Sequence, residues 1–202
     1  MNERKTFVEV VKNRKSIRKY KDENIDIEKI KEIISLSSNA PSGGNFQNWH
    51  CIIIRNKTVI EKMRESVEAI YKKIIGNAAP SYYTFFTEAP VVLAVIEKPY
   101  YSSMDEILEK TDKERNYIRK FIVNPGLQGV SSFITHILLA VENEGLGACW
   151  MTGPLIAKEE IEAMLGVRKP DNLVALIPVG HKIERKSKSG RKEISEIITI
   201  ID

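Results

Sequence analysis

Residues 14–18 read RKSIR: three cations and a hydroxyl within five positions. A guanidinium offers paired donors to phosphate oxygens, an ammonium adds a point charge, and a serine adds a short-range O–H donor. Arg14, Lys15, Ser16 and Arg18 are therefore a candidate anion cradle. They would serve equally as a solvated helix end, because cations complement the negative pole of the apolar helix expected just upstream. A second stretch, APSGGNFQNWH at 40–50, has loop composition. Its glycines allow backbone to approach a flat ligand, and Asn45 and Gln47 each offer a donor and an acceptor to a heterocycle edge. It also fits a plain helix-to-strand connection. A third, CWMTGP at 149–154, ends an apolar run on a small polar residue and a glycine. That is either a strand exit facing a ligand crevice or a strand exit and nothing more.

A fourth stretch, KIERKSKSGRK at 182–192, sets six cations against one acid. It suits nucleic acid or phosphate, or a solvated loop, and it lacks the interleaved aromatics of a single-stranded nucleic-acid platform. Other chemistries leave no trace. His50, His136 and His181 have no metal spacing, and there is no HExxH, CxxC, nucleophile elbow, P-loop or GxGxxG. Cys51 sits in an apolar run and reads as a small buried hydrophobe, far in sequence from Cys149.

The elements that must position these residues follow from pattern. The chain has 202 residues, 43 % hydrophobic and 29 % charged, which suits one folded domain over 1–202 rather than disorder. A net charge of +4 is too modest to imply nucleic acid. No run approaches the ~20 apolar residues of a membrane span, and the N-terminus shows no apolar signal core. With unpaired cysteines, a cytoplasmic protein is expected. Helical spacing predicts helices over 3–13, 26–38 with Asp26 as N-cap, 57–75, 125–144 with Pro125 at its start, and 157–165. A polar helical excursion is expected over 103–120. Apolar β-branched runs predict strands at 50–55, 90–96, after Gly145, and at 172–180, with the tail EISEIITIID as a fifth. This is an α+β pattern: a central mixed, mostly antiparallel five-stranded sheet covered on both faces by helices.

Taken in order, RKSIRKY, APSGGNFQNWH, GLGACWMTGP, PVGH and a basic C-terminal loop containing Arg191 resemble the nitroreductase family over nearly the whole chain. The resemblance implies an α+β fold working as an intertwined homodimer, with FMN at the dimer interface. By position, Arg14, Lys15, Ser16 and Arg18 would hold the ribityl phosphate, joined by Arg191. Pro41, Ser42, Gly43, Asn45 and Gln47 would line the flavin from the partner subunit, and Met151, Thr152 and Gly153 would lie along its ring. NADH or NADPH would reduce the flavin, and a small-molecule acceptor such as a nitroaromatic or quinone would reoxidise it in a ping-pong cycle. No catalytic side chain is then required, because the cofactor carries the chemistry. Tyr82, Tyr83, Phe85, Phe86 and Tyr117 would roof the acceptor pocket or belong to the core. Small residues on the long helix (Gly129, Ser132) would permit close helix approach between subunits. The chain departs from the family pattern in Gln47-Asn48-Trp49, where Gln-Pro-Trp is usual, in Thr152, and in segment 76–88. Reductive dehalogenation, flavin cleavage, or a non-enzymatic basic binding module remain alternatives.

Overall fold

The computed structural model describes residues 5–183 and 190–201. Four strands form one sheet in the order β1-β2-β4-β3: β1 Trp49–Ile54, β2 Val91–Glu97, β3 Gly147–Ala148 and β4 Asn172–Gly180. All three strand pairings are antiparallel. The mixed character is confined to one isolated parallel bridge, between Ser16 and Ala148.

Strand β2 reads VVLAVI because neither of its faces meets water. Side chains alternate across a strand. Val91, Leu93 and Val95 therefore enter one core with Ile30 and Ile33 of α2 (Ile27–Ser37) and Phe133, Ile134 and Ile137 of α6 (Pro125–Asn143). Val92, Ala94 and Ile96 enter a second core with Ile60, Met63 and Val67 of α3 (Lys57–Ile75) and Ile161 of α7 (Lys158–Leu165). The result is a helix–sheet–helix sandwich. Each buried aliphatic side chain contributes about 1.5–3 kcal/mol.

Local signals set the helix starts. Asp26 caps α2 by accepting from Glu28 N–H at 3.1 Å. Asn124 caps α6 from a left-handed conformation, accepting from Leu127 N–H at 3.0 Å, with Pro125 next. The first helix, α1, runs Phe7–Asn13 behind a Thr6–Glu9 capping box. The excursion is two helices, α4 (Ser103–Thr111) and α5 (Lys113–Tyr117), followed by a π turn over Ile118–Val123. Buried Asp105 ties it together by accepting from Arg119 Nε at 2.9 Å and from Ser102.

Two expectations are corrected and a third is borne out in shortened form. The tail is not a fifth strand: it forms a single 3-10 turn, Ile194–Glu196, and its isoleucines stay exposed. A β-branched run becomes a strand only where a neighbour accepts its ladder, and among the described residues none does. Strand β3 is only two residues long, although Met151 touches the sheet again through a bridge to Leu176. Gly129 does not offer its smallness to a second helix. A Cβ there would lie 3.1 Å from Ser42 Cβ of the same chain. Most of the basic loop 182–192 falls on residues 184–189, outside the described residues.

Candidate functional site

The RKSIR segment is extended, not the end of a helix, since α1 stops at Asn13. Ile17 N–H donates to Ala148 O at 2.9 Å, which lays the segment along the outer edge of the sheet. Gly147 makes this approach possible, because a Cβ there would stand 2.7 Å from Ile17 Cγ1. Alternation then sorts the cluster. Arg14, Ser16 and Arg18 share the face of the buried Cys149. Burial pushes that thiol up, while Arg18, Ser16 and Arg14 act on it in the opposite direction. Ile17 and Lys15 face the other way. Lys15 lines a recess with Lys5, Asn13, Glu142 and Lys182, where buried Glu142 accepts from Lys5 and Lys182 at 2.9 Å each. The predicted cluster of four is thus a triad plus one residue on the opposite face.

Arg18 is exposed. Its guanidinium carbon lies 5.9 Å from the centre of the Phe85 ring, and Nη1 donates to Ser16 O at 3.4 Å. Beyond Cys149 the chain rejoins the sheet at Met151, whose backbone exchanges two hydrogen bonds with Leu176 (2.9 and 3.0 Å). The Met151 side chain is core, so this stretch presents its backbone together with exposed Thr152 and half-buried Gly153. Tyr83 packs on Gly153 so closely that a Cβ would lie 2.8 Å from its ring. Of the expected roof aromatics, Phe86 is wholly buried and Phe85 nearly so, and both belong to the core. Tyr82 and Tyr117 are exposed.

The 41–47 loop is built for a particular shape. Ser42 Oγ accepts from Gln47 N–H at 3.0 Å, and Gln47 Nε2 donates to Asn45 Oδ1 at 3.1 Å. Gly44, Asn45 and Gln47 all have positive φ (58°, 55° and 49°). Asparagine tolerates this region and glutamine does so at a cost. The loop is braced by Tyr100, which packs edge-on against Phe46 at 5.2 Å and leaves no room for a Cβ on Gly43. Buried Asn48 anchors the loop's exit: Nδ2 donates to Lys98 O at 3.2 Å, and the Asn48 backbone carbonyl accepts from Lys98 N–H at 2.8 Å. Pro41, Asn45 and Gln47 are left exposed.

These two groups do not meet within one chain. Trp49 pairs with Glu97 at one end of the sheet and on one edge, whereas Ala148 pairs with Val179 at the other end and on the opposite edge. From strand spacing and rise they are about 14 Å apart across the sheet and about 20 Å along it. Arg191 is exposed in the C-terminal segment and donates to Gly190 O at 3.1 Å. Sequence reasoning did not separate Lys15 from its neighbours, and it missed Phe85, Gly147 and Tyr100 as supports. Only the extended conformation and the contacts of 80–88 and 97–100 reveal those roles. Among the described residues no His/Cys/Asp/Glu group could hold a metal, and no helix is long and apolar enough to cross a membrane.

An α+β sandwich with an edge-docked basic segment and a shaped Ser-Gly-Asn loop corresponds to a known family. Residues 11–181 match the nitroreductase family, and the chain belongs to it. A protein of Methanothermobacter thermautotrophicus provisionally named NADH dehydrogenase/NAD(P)H nitroreductase is 29 % identical, over 88 % of this chain and 78 % of its own length. The iodotyrosine deiodinase of Hydra vulgaris is 26 % identical, over 94 % of this chain and 70 % of its own. The crystal structure of a BluB-like flavoprotein from Clostridium difficile 630 superposes with a TM-score of 0.87 at 28 % identity, covering 98 % of this chain and all of the other.

Proposed function

We propose that this nitroreductase-family protein is an FMN-dependent oxidoreductase that takes electrons from NADH or NADPH and passes them to nitroaromatics, quinones or related small acceptors. One observation carries the cofactor assignment: Arg14, Ser16 and Arg18 share a single face of an extended segment. Two guanidiniums and a hydroxyl form a donor set suited to a phosphate monoester. The left-handed 41–47 loop, with open space beside Gly44, suits the close approach of a flat ring.

In this reading Arg14, Ser16 and Arg18 grip the phosphate, with Arg191 joining them and Lys15 adding charge from the opposite face. Backbone at Met151, Thr152 and Gly153 lies along the ring. When bound, FMN supplies the hydride chemistry, accepting from the nicotinamide and giving to the acceptor. Pro41, Ser42, Gly43, Asn45 and Gln47 act from a second copy of the chain. The separation of the two half-sites across the sheet supports that arrangement, because one copy's loop can complete the other's cluster. So does the exposed apolar surface, with Phe7 at 75 %, Phe121 at 69 % and Ile200 at 75 % exposure. A homodimer follows, and light scattering that found a folded, flavin-loaded monomer would contradict it.

The deiodinase relative favours one second reading, reductive dehalogenation of a halophenol. Steady-state kinetics test the main one. Initial rates against NAD(P)H at several nitroaromatic or quinone concentrations give parallel double-reciprocal lines. Intersecting lines overturn the two-stroke cycle, and turnover confined to halophenols overturns the acceptor class.

A further inference from the structure

Segment 76–88, like Gln47-Asn48-Trp49 and Thr152, departs from the pattern the family resemblance implies, and it is also where the candidate site finds its support. Two consecutive 3-10 turns, Ser81–Tyr83 and Phe85–Glu88, run beneath the site. The first presses Tyr83 onto Gly153. The second drives Phe85 into the core beside α3 and α7, where it is only 7 % exposed. Phe85 is therefore fixed in place, and its ring lies 5.9 Å from the Arg18 guanidinium carbon.

Arg18 needs such a support. It is exposed, its hydrogen bond to Ser16 O is long at 3.4 Å, and a free arginine side chain samples many rotamers. A guanidinium over an aromatic face is attracted by the ring quadrupole while its edge N–H groups stay free for an anion. We propose that Phe85 is a positioning residue for the phosphate site: it holds Arg18 with its donor edge turned toward the cofactor phosphate. The proposal rests on the FMN reading above and adds a residue that touches no cofactor atom itself.

The test measures affinity rather than turnover. The full-length protein is titrated with FMN and with riboflavin, which lacks the phosphate, by quenching of flavin fluorescence. Phe85→Leu keeps an apolar side chain in the core but removes the π face. It is expected to weaken FMN binding about 3- to 10-fold and leave riboflavin unchanged. Phe85→Tyr keeps the face and is expected to restore FMN affinity. In an Arg18→Ala background, Phe85→Leu is expected to add nothing, because the group it positions is gone. Equal weakening of both flavins by Phe85→Leu would mean a packing role only and would overturn the proposal. So would an unchanged FMN affinity while wild type binds FMN tightly, which leaves the cofactor reading intact. A wild-type chain that binds neither flavin would overturn both.

Discussion

Gly147 is the position at which fold and site are most tightly coupled, and Gly147→Ala exposes the coupling. An added Cβ would stand 2.7 Å from Ile17 Cγ1, 2.9 Å from Ile17 Cβ and 2.8 Å from Lys182 Cβ. Real Cβ atoms do not come so close, so something must move. Ile17 is buried, and its N–H is bonded to Ala148 O at 2.9 Å, so it retreats only by breaking that bond. A glycine replaced by alanine at ordinary φ otherwise gains about 0.4–1 kcal/mol through the unfolded state. Overpacking of this kind costs about 1–3 kcal/mol. The steric term wins, for a net loss of about 1–2 kcal/mol, and at about 2–4 °C per kcal/mol for a domain of this size the melting temperature falls by ~2–8 °C. Because Ser16 and Arg18 flank Ile17, the same displacement shifts two of the proposed phosphate donors, so FMN affinity is expected to fall with stability. Thermal unfolding at matched protein concentration and FMN titration read the two effects. A variant that melts within a degree of wild type and binds FMN equally well would refute the argument that this edge contact seats the segment.

Three further outcomes are expected. Cys51 is half-buried, and desolvation pushes its thiol up to about 12, which keeps it protonated at neutral pH. Cys51 should resist alkylation in the native state, and Cys51→Ala should keep flavin and turnover; loss of turnover with flavin retained would show the mechanism to be wrong. Burial raises the pKa of Asp105, but the Ser102 hydrogen bonds and Arg119 more than offset it and hold the carboxyl below its ordinary value of 3.8. Asp105→Asn should therefore destabilise the protein at pH 7 by about 1.5–3 kcal/mol. Because the folded-state pKa is depressed, the gap from wild type should persist above 3.8 and close as pH falls through the folded pKa; urea midpoints across pH that differ by a constant amount would contradict this. Acid-induced loss of the Arg119–Asp105 pair should also loosen the 103–123 excursion first, seen as early hydrogen exchange there, and uniform exchange would argue against it.

Much of the fold could be read from the sequence because its signals are local. Asp26, Asn56 and Pro125 sit at helix starts, and the apolar periodicity of 57–75 and 125–143 fills the turns between. β2 and β4 are continuous apolar runs because both faces are covered. The tail misled because Ile194, Ile197, Ile198, Ile200 and Ile201 have strand composition, whereas strand formation depends on a partner that no local pattern reports. The site was legible in part for the same reason. The residue types in 14–18 and 40–47 suit the anion and heterocycle proposed for them, but which side each residue faces depends on the backbone. Lys15 parts from Arg14 and Ser16 only because the segment is extended along β3. The support given by Phe85 to Arg18, and by Tyr83 to Gly153, joins segments roughly 70 residues apart in sequence and left no spacing to detect.

The most direct test of the central claim is the affinity of wild type, Arg14→Ala and Arg18→Ala for FMN and for riboflavin. Each arginine is assigned charge-assisted hydrogen bonds to phosphate of about 1.5–3 kcal/mol. FMN binding is therefore expected to weaken about 10- to 100-fold in either variant, with riboflavin affinity unchanged. If both flavins weaken alike, or FMN affinity stays at the wild-type value, the arginine face does not hold the cofactor phosphate and the account is wrong at its centre.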